Sequence, residues 1–140
     1  MFTEITTWIA SVAGMTIGGK LVYGHRLQNS DDRCVLISES AGGSTVPELP
    51  DRADVLIQAI SRARKYKEAR EDIWIVYRAL HGRAGINMAR IDGSGPDYLA
   101  NTIDALAIPQ YLGPDEEGRH EFSVNFIFRM QEGSCTEPGP

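Results

Sequence analysis

Apolar residues along this chain follow two rhythms, and the sharper one runs from Tyr66 to Gly82. There Ala69, Ile73, Val76, Tyr77 and Leu80 recur in steps of four, three, one and three, with Trp74 beside them. This is the period of a helix with one buried stripe. Glu68, Glu71 and Asp72 lie in its first half and Arg78 and His81 near its end, as the helix dipole favours. Gly82 is the expected left-handed stop. Phe2, Ile5, Ile9 and Val12, with Trp8, repeat the helical spacing, so a first helix is expected over residues 2–13.

The second rhythm is alternation. Phe122, Val124, Phe126, Phe128 and Met130 alternate with Glu121, Ser123, Asn125, Ile127 and Arg129, which marks a strand over 120–130. Further strands are expected over 21–27, 33–39, 54–62 and 98–110. The first two read as a hairpin turning at residues 28–32. Residues 40–50, with Pro47 and Pro50, and residues 83–96, rich in glycine, read as irregular. Gly113 to Gly118 reads as a polar, acidic turn. The expected order is α-β-β-β-α-β-β: an α+β domain with a mainly antiparallel sheet of about five strands and both helices packed on it. We expect one domain over residues 1–130 and a flexible Gly/Pro-rich tail over 131–140.

That arrangement leaves a surplus of apolar surface. A helix pair covers one face of a sheet, yet Leu56, Ile60, Leu106, Ile108 and Ile127 fall on the other side of the alternation. Either the sheet curls over them or they meet another subunit, together with the loop carrying Val46 and Glu48. The basic run Arg62, Arg64, Lys65 and Lys67 reads as a solvated connection or as a contact for an acidic neighbouring surface such as Asp115, Glu116 and Glu117.

Composition narrows the function classes. A net charge of −5 argues against a general nucleic-acid binder. The longest apolar run is five residues, Ile73 to Tyr77, so no membrane span is expected. No secretory signal is apparent, and Cys34 and Cys135 make neither a disulfide framework nor a metal site, so a reduced, cytosolic setting is expected. Gly14 to Lys20 imitates the phosphate loop G-x4-G-K-[ST], but Leu21 stands where the magnesium-binding hydroxyl belongs. It also follows a helix and enters a strand, the reverse of the required context. His25, His81 and His120 are scattered, no serine sits in a nucleophile elbow, and the acidic clusters are turns. We expect no enzyme, no cofactor and no metal. A small nucleotide-binding protein, resting on Gly14 to Lys20 alone, is the distant alternative.

Several segments resemble the small minor capsid proteins of tailed bacteriophages. They are His25 to Ser30, Cys34 to Gly43, Leu49 to Val55, Ala69 to Asp72, Leu80 to Gly82, Pro109 to Glu116 and the 122–130 strand. The resemblance spans roughly residues 25–130 and points to the tail-terminator (tail-completion) proteins, which share the expected order of elements. It implies a homohexameric ring at the head-proximal end of the tail tube, ending tube polymerisation. The implied partners are copies of the chain, the tail tube protein and a head-side neck or stopper protein. DNA would pass through the lumen without specific binding. The implied place is the head–tail junction of the virion, after assembly in the host cytoplasm. A head-completion stopper of the connector is the nearest alternative. The negative charge suits a conduit that repels the passing duplex.

Overall fold

A computed structural model describes residues 2–17, 21–23, 32–39, 44–45, 52–91, 93 and 96–131. The elements are α1 (Phe2–Ala13), β1 (Leu21–Tyr23), β2 (Cys34–Glu39), β3 (Ser44–Thr45), β4 (Arg52–Ala63), α2 (Tyr66–Leu80), β5 (Arg83–Met88), β6 (Tyr98–Ala105), β7 (Gln110–Pro114) and β8 (His120–Gln131). The α+β class and the mainly antiparallel sheet agree with the sequence. Six strands run side by side in the order β1-β2-β4-β8-β6-β5, while β3 pairs with β4 and β7 with β8.

The two strongest alternations make the centre of the sheet. β4 and β8 pair antiparallel over their full length, from Arg52↔Gln131 to Ala63↔His120. Their inward residues Ile57, Ala59, Phe122, Val124, Phe126, Phe128 and Met130 are buried. Against them lie Ala69, Ile73, Val76 and Leu80 of α2 and Ile5 and Ile9 of α1, so one core sits between the sheet and both helices. Trp8 meets Phe128 edge-on at 6.3 Å. Ser61 points the same way and donates to the Ala69 carbonyl at 2.7 Å, tying β4 to the first turn of α2. Burying a large aliphatic or aromatic side chain contributes about 1.5–3 kcal/mol, so this layer dominates stability.

Four expectations need correction. β1 and β2 are parallel (Leu21↔Val35 to Tyr23↔Ile37), so they are not a hairpin. A parallel pair needs a crossover, longer than the short turn read over residues 28–32. The stretch 83–96 is not wholly irregular, because Arg83–Met88 forms β5 on β6. Gly85, at φ +65, interrupts an otherwise constant β5–β6 register, and the strand is largely exposed, so it carries little of the alternation that sequence reading needs. The strand expected over 98–110 ends at Ala105, bends through 106–109 and resumes as β7, which takes in Gly113 and Pro114 from the expected turn. β6 and β7 thus share one side of β8: Leu99 to Ala105 lie along its second half and Gln110 to Pro114 along its first. Finally, Ser44–Thr45 pairs with Ala53 and Asp54 inside the loop expected to be irregular.

Candidate assembly interface

Residues opposite one another in a ladder project to the same face. Because Ile57, Ala59 and Ser61 face the helices, Leu56, Gln58, Ile60 and Arg62 face away. Ladder register extends that face into rows: Leu36–Ile60–Ser123, Ser38–Gln58–Asn125, Leu56–Ile127–Asp104 and Asp54–Arg129–Thr102. Neither helix reaches this side. Leu36, Leu56, Ile60 and Ile127 are half-buried there. Its one described arginine pair is internal: Arg129 donates to Asp104 at 3.0 Å and to the Thr102 hydroxyl at 3.2 Å.

At its rim the bend between β6 and β7 is the most exposed apolar segment described. Leu106 is 60% exposed, Ile108 63% and Leu112 50%. The bend is held in place, since the Leu106 N–H donates to the Asn125 carbonyl at 2.8 Å. On the opposite, helix-bearing side, at the N-terminus of α2, lies an aromatic group: Tyr66 is 5.2 Å from Tyr111, 5.2 Å from Phe122 and 5.9 Å from His120. The Tyr111 hydroxyl and His120 Nδ1 are 2.7 Å apart.

Of the charged candidates, Lys65 is exposed and Arg62 is 7% exposed, its Nε donating to the Asp32 carbonyl at 3.3 Å. Arg64 pairs with Asp32 at 2.6 Å. Arg119 gathers Asp115 (2.8 Å), Asp32 (3.2 Å) and Glu117 (3.3 Å), while Glu116 stays exposed. The Arg64 hydrogen bond, with help from Arg119, holds the Asp32 carboxyl below the ordinary value. For Asp115, burial pushes upward, and hydrogen bonds from the Arg119 backbone and side chain and from the Glu117 N–H outweigh it. The acidic turn and part of the basic run are therefore engaged within one chain. Val46 and Glu48 lie outside the described residues.

Sequence reading missed this Arg119 hub and a second ion pair. Asp72 is fully buried and receives Nε and Nη2 of Arg33, each at 3.0 Å. Glu68 adds a contact to Arg33 at 3.3 Å. A carboxylate at the edge of an apolar stripe was the one available signal, since such a group needs a partner. Leu112 was missed because it sits in a bulge of the β7–β8 register, between Tyr111 and Gly113.

The chemistry sought elsewhere stays dispersed. Gly14 ends α1 at φ +70, and Ile17 then bridges to Leu21 at the start of β1, the helix-to-strand context that a phosphate loop does not have. His81 caps α2 and accepts the Ala105 N–H at Nδ1 (3.0 Å); His120 belongs to the aromatic group; His25 lies outside the described residues. Among the described residues no His, Cys, Asp and Glu come together in a group that could hold a metal ion. No described helix is long and apolar enough to cross a membrane.

A family model described as bacteriophage tail terminator protein matches residues 7–132, from within α1 to the end of β8. The chain belongs to the bacteriophage tail terminator family. It is a structural component of the phage tail, and hence of the virion, as the resemblance over residues 25–130 implied. No curated protein matches it. For a tail terminator, the surfaces above are the places where other proteins could attach.

Proposed function

We propose that this tail terminator closes into a ring of like subunits, a hexamer, on the head-proximal end of the tail tube. There it stops tube polymerisation and joins the tail to a neck or stopper protein on the head, while DNA passes through the lumen. It works by occupying a growing end, without catalysis, cofactor or metal. One observation carries this reading beyond the family: both helices lie on one side of the sheet. Leu36, Leu56, Ile60 and Ile127, with the rim of Leu106, Ile108 and Leu112, are left outside the core. A ring closes through heterologous contacts, each subunit offering two different surfaces. A face of this kind with its rim could supply much of the roughly 800 Å² that one partner buries in a standard interface.

Tube protein polymerised with and without this chain tests the reading. Tubes of limited length, carrying the chain at one end, are expected in electron micrographs. Tubes of unchanged length with no chain at either end would overturn it.

A further inference from the structure

The exposed side of α2 carries an arrangement the assembly reading does not use. Arg70, Trp74 and Arg78 follow one another at four-residue steps and so share one stripe. The guanidinium carbons of Arg70 and Arg78 lie 5.3 and 5.4 Å from the centre of the Trp74 ring. Tyr77 braces that ring edge-on at 5.2 Å, and His81 stacks on Tyr77 at 5.2 Å. Lys67 is exposed three residues before Arg70. A cation–π contact occupies no N–H donor of the guanidinium, so these stay available to an anion. Neither arginine has a carboxylate partner among the described residues, whereas Arg33, Arg64, Arg119 and Arg129 each have one. Glu71 is the one exposed acid beside the stripe, since Glu68 and Asp72 are turned to Arg33.

This acidic chain thus keeps, among the described residues, three cations without an ion pair along roughly 16 Å of one helix. Among the described residues no acidic patch matches it on a second copy: the acids without an ion pair, Glu39, Asp54, Glu71, Asp97 and Glu116, sit on separate segments. Aromatic side chains interleaved with arginines, aligned along a helix, fit a linear polyanion better than a compact acidic patch. We infer that the Lys67–Arg70–Trp74–Arg78 stripe of α2 is a contact surface for the phosphate backbone of DNA. This rests on the proposal that DNA passes through the ring, and it sets α2 facing the lumen. Three cations per subunit make a weak, sequence-independent contact, able to guide a duplex through an otherwise repelling conduit.

The test is a titration of the full chain with a short random-sequence duplex, followed through the Trp74 indole N–H and the backbone amides. Perturbations confined to the exposed side of α2 are expected. Three phosphate contacts give an affinity about 40-fold weaker at 200 mM than at 50 mM salt. With Arg70→Gln and Arg78→Gln together, that ratio should fall to about threefold, with circular dichroism unchanged. No binding at 50 mM salt, perturbations elsewhere, an unaltered ratio in the double variant, or binding of polyglutamate in preference to the duplex would each overturn the inference. Tubes contain no DNA, so the double variant should still limit tube length. A parent chain that caps tubes without binding the duplex would be failure of this inference alone, whereas tubes left uncapped would be failure of the ring proposal.

Discussion

Arg119 shows how much single residues decide in this molecule. Its side chain ties the β7–β8 turn (Asp115 and Glu117) to Asp32, far away in sequence, and Asp32 in turn holds Arg64. Asp32 and Asp115 both titrate below the ordinary value of 3.8 in the folded chain. A depressed carboxyl stabilises the fold fully above its unfolded value and loses that contribution as pH falls through the folded one. Replacing Arg119 with Gln should therefore lower stability by a constant amount above about pH 5 and by a shrinking amount below pH 4. Urea unfolding across pH 2 to 7 measures this, and a difference independent of pH would contradict it. The sequence offered acidic and basic clusters without saying which charges meet. Pairing depends on which strands lie side by side, and that is set by the core.

At the scale of elements, periodicity was a good guide wherever one face is buried and the run is unbroken. α1 occupies the 2–13 segment expected for it, and β4 and β8 extend the expected strands by one or two residues at the ends. α2 ends as its glycine announces: the His81 N–H donates to the Tyr77 carbonyl, and Gly82, at φ +80, turns the chain so that its N–H reaches Ile103 of β6. Gly82→Ala should cost about 1–2 kcal/mol, the penalty of a left-handed residue with a Cβ. A shift in thermal midpoint under 1 °C would show that the turn relaxes instead. β5 and β7 escaped notice because each is short and largely exposed, and β7 is bulged as well, which weakens the period-two signal. The parallel pairing of β1 and β2 was beyond reach of local pattern, since alternation does not encode direction. The apolar surplus of the sheet was legible, because period two sorts residues by face whatever the strand order. Its sharpest part, the bend at Leu106 and Ile108, was read as strand and emerges as a protruding rim.

For the molecule as a whole, the proposed ring would make that rim a divide between folding and assembly. Leu106 and Ile108 bury little in the subunit, so Leu106→Asp with Ile108→Asp should leave the unfolding free energy within about 0.5 kcal/mol of the parent. Sedimentation of the same variant in the presence of tube protein should show loss of the ring. A ring that forms normally would place the contact elsewhere. β8 has a different bearing on when such a ring becomes possible. It is the latest of the eight strands to leave the ribosome, yet it lies in the middle of the sheet with β4 on one side and β6 and β7 on the other. Until His120–Gln131 is synthesised, the β2–β4 and β5–β6 halves have no seam, and these distant pairings make the closing step intrinsically slow. A nascent copy therefore has no finished surface to offer, and in the proposed assembly growing tubes would meet only subunits whose translation has passed β8.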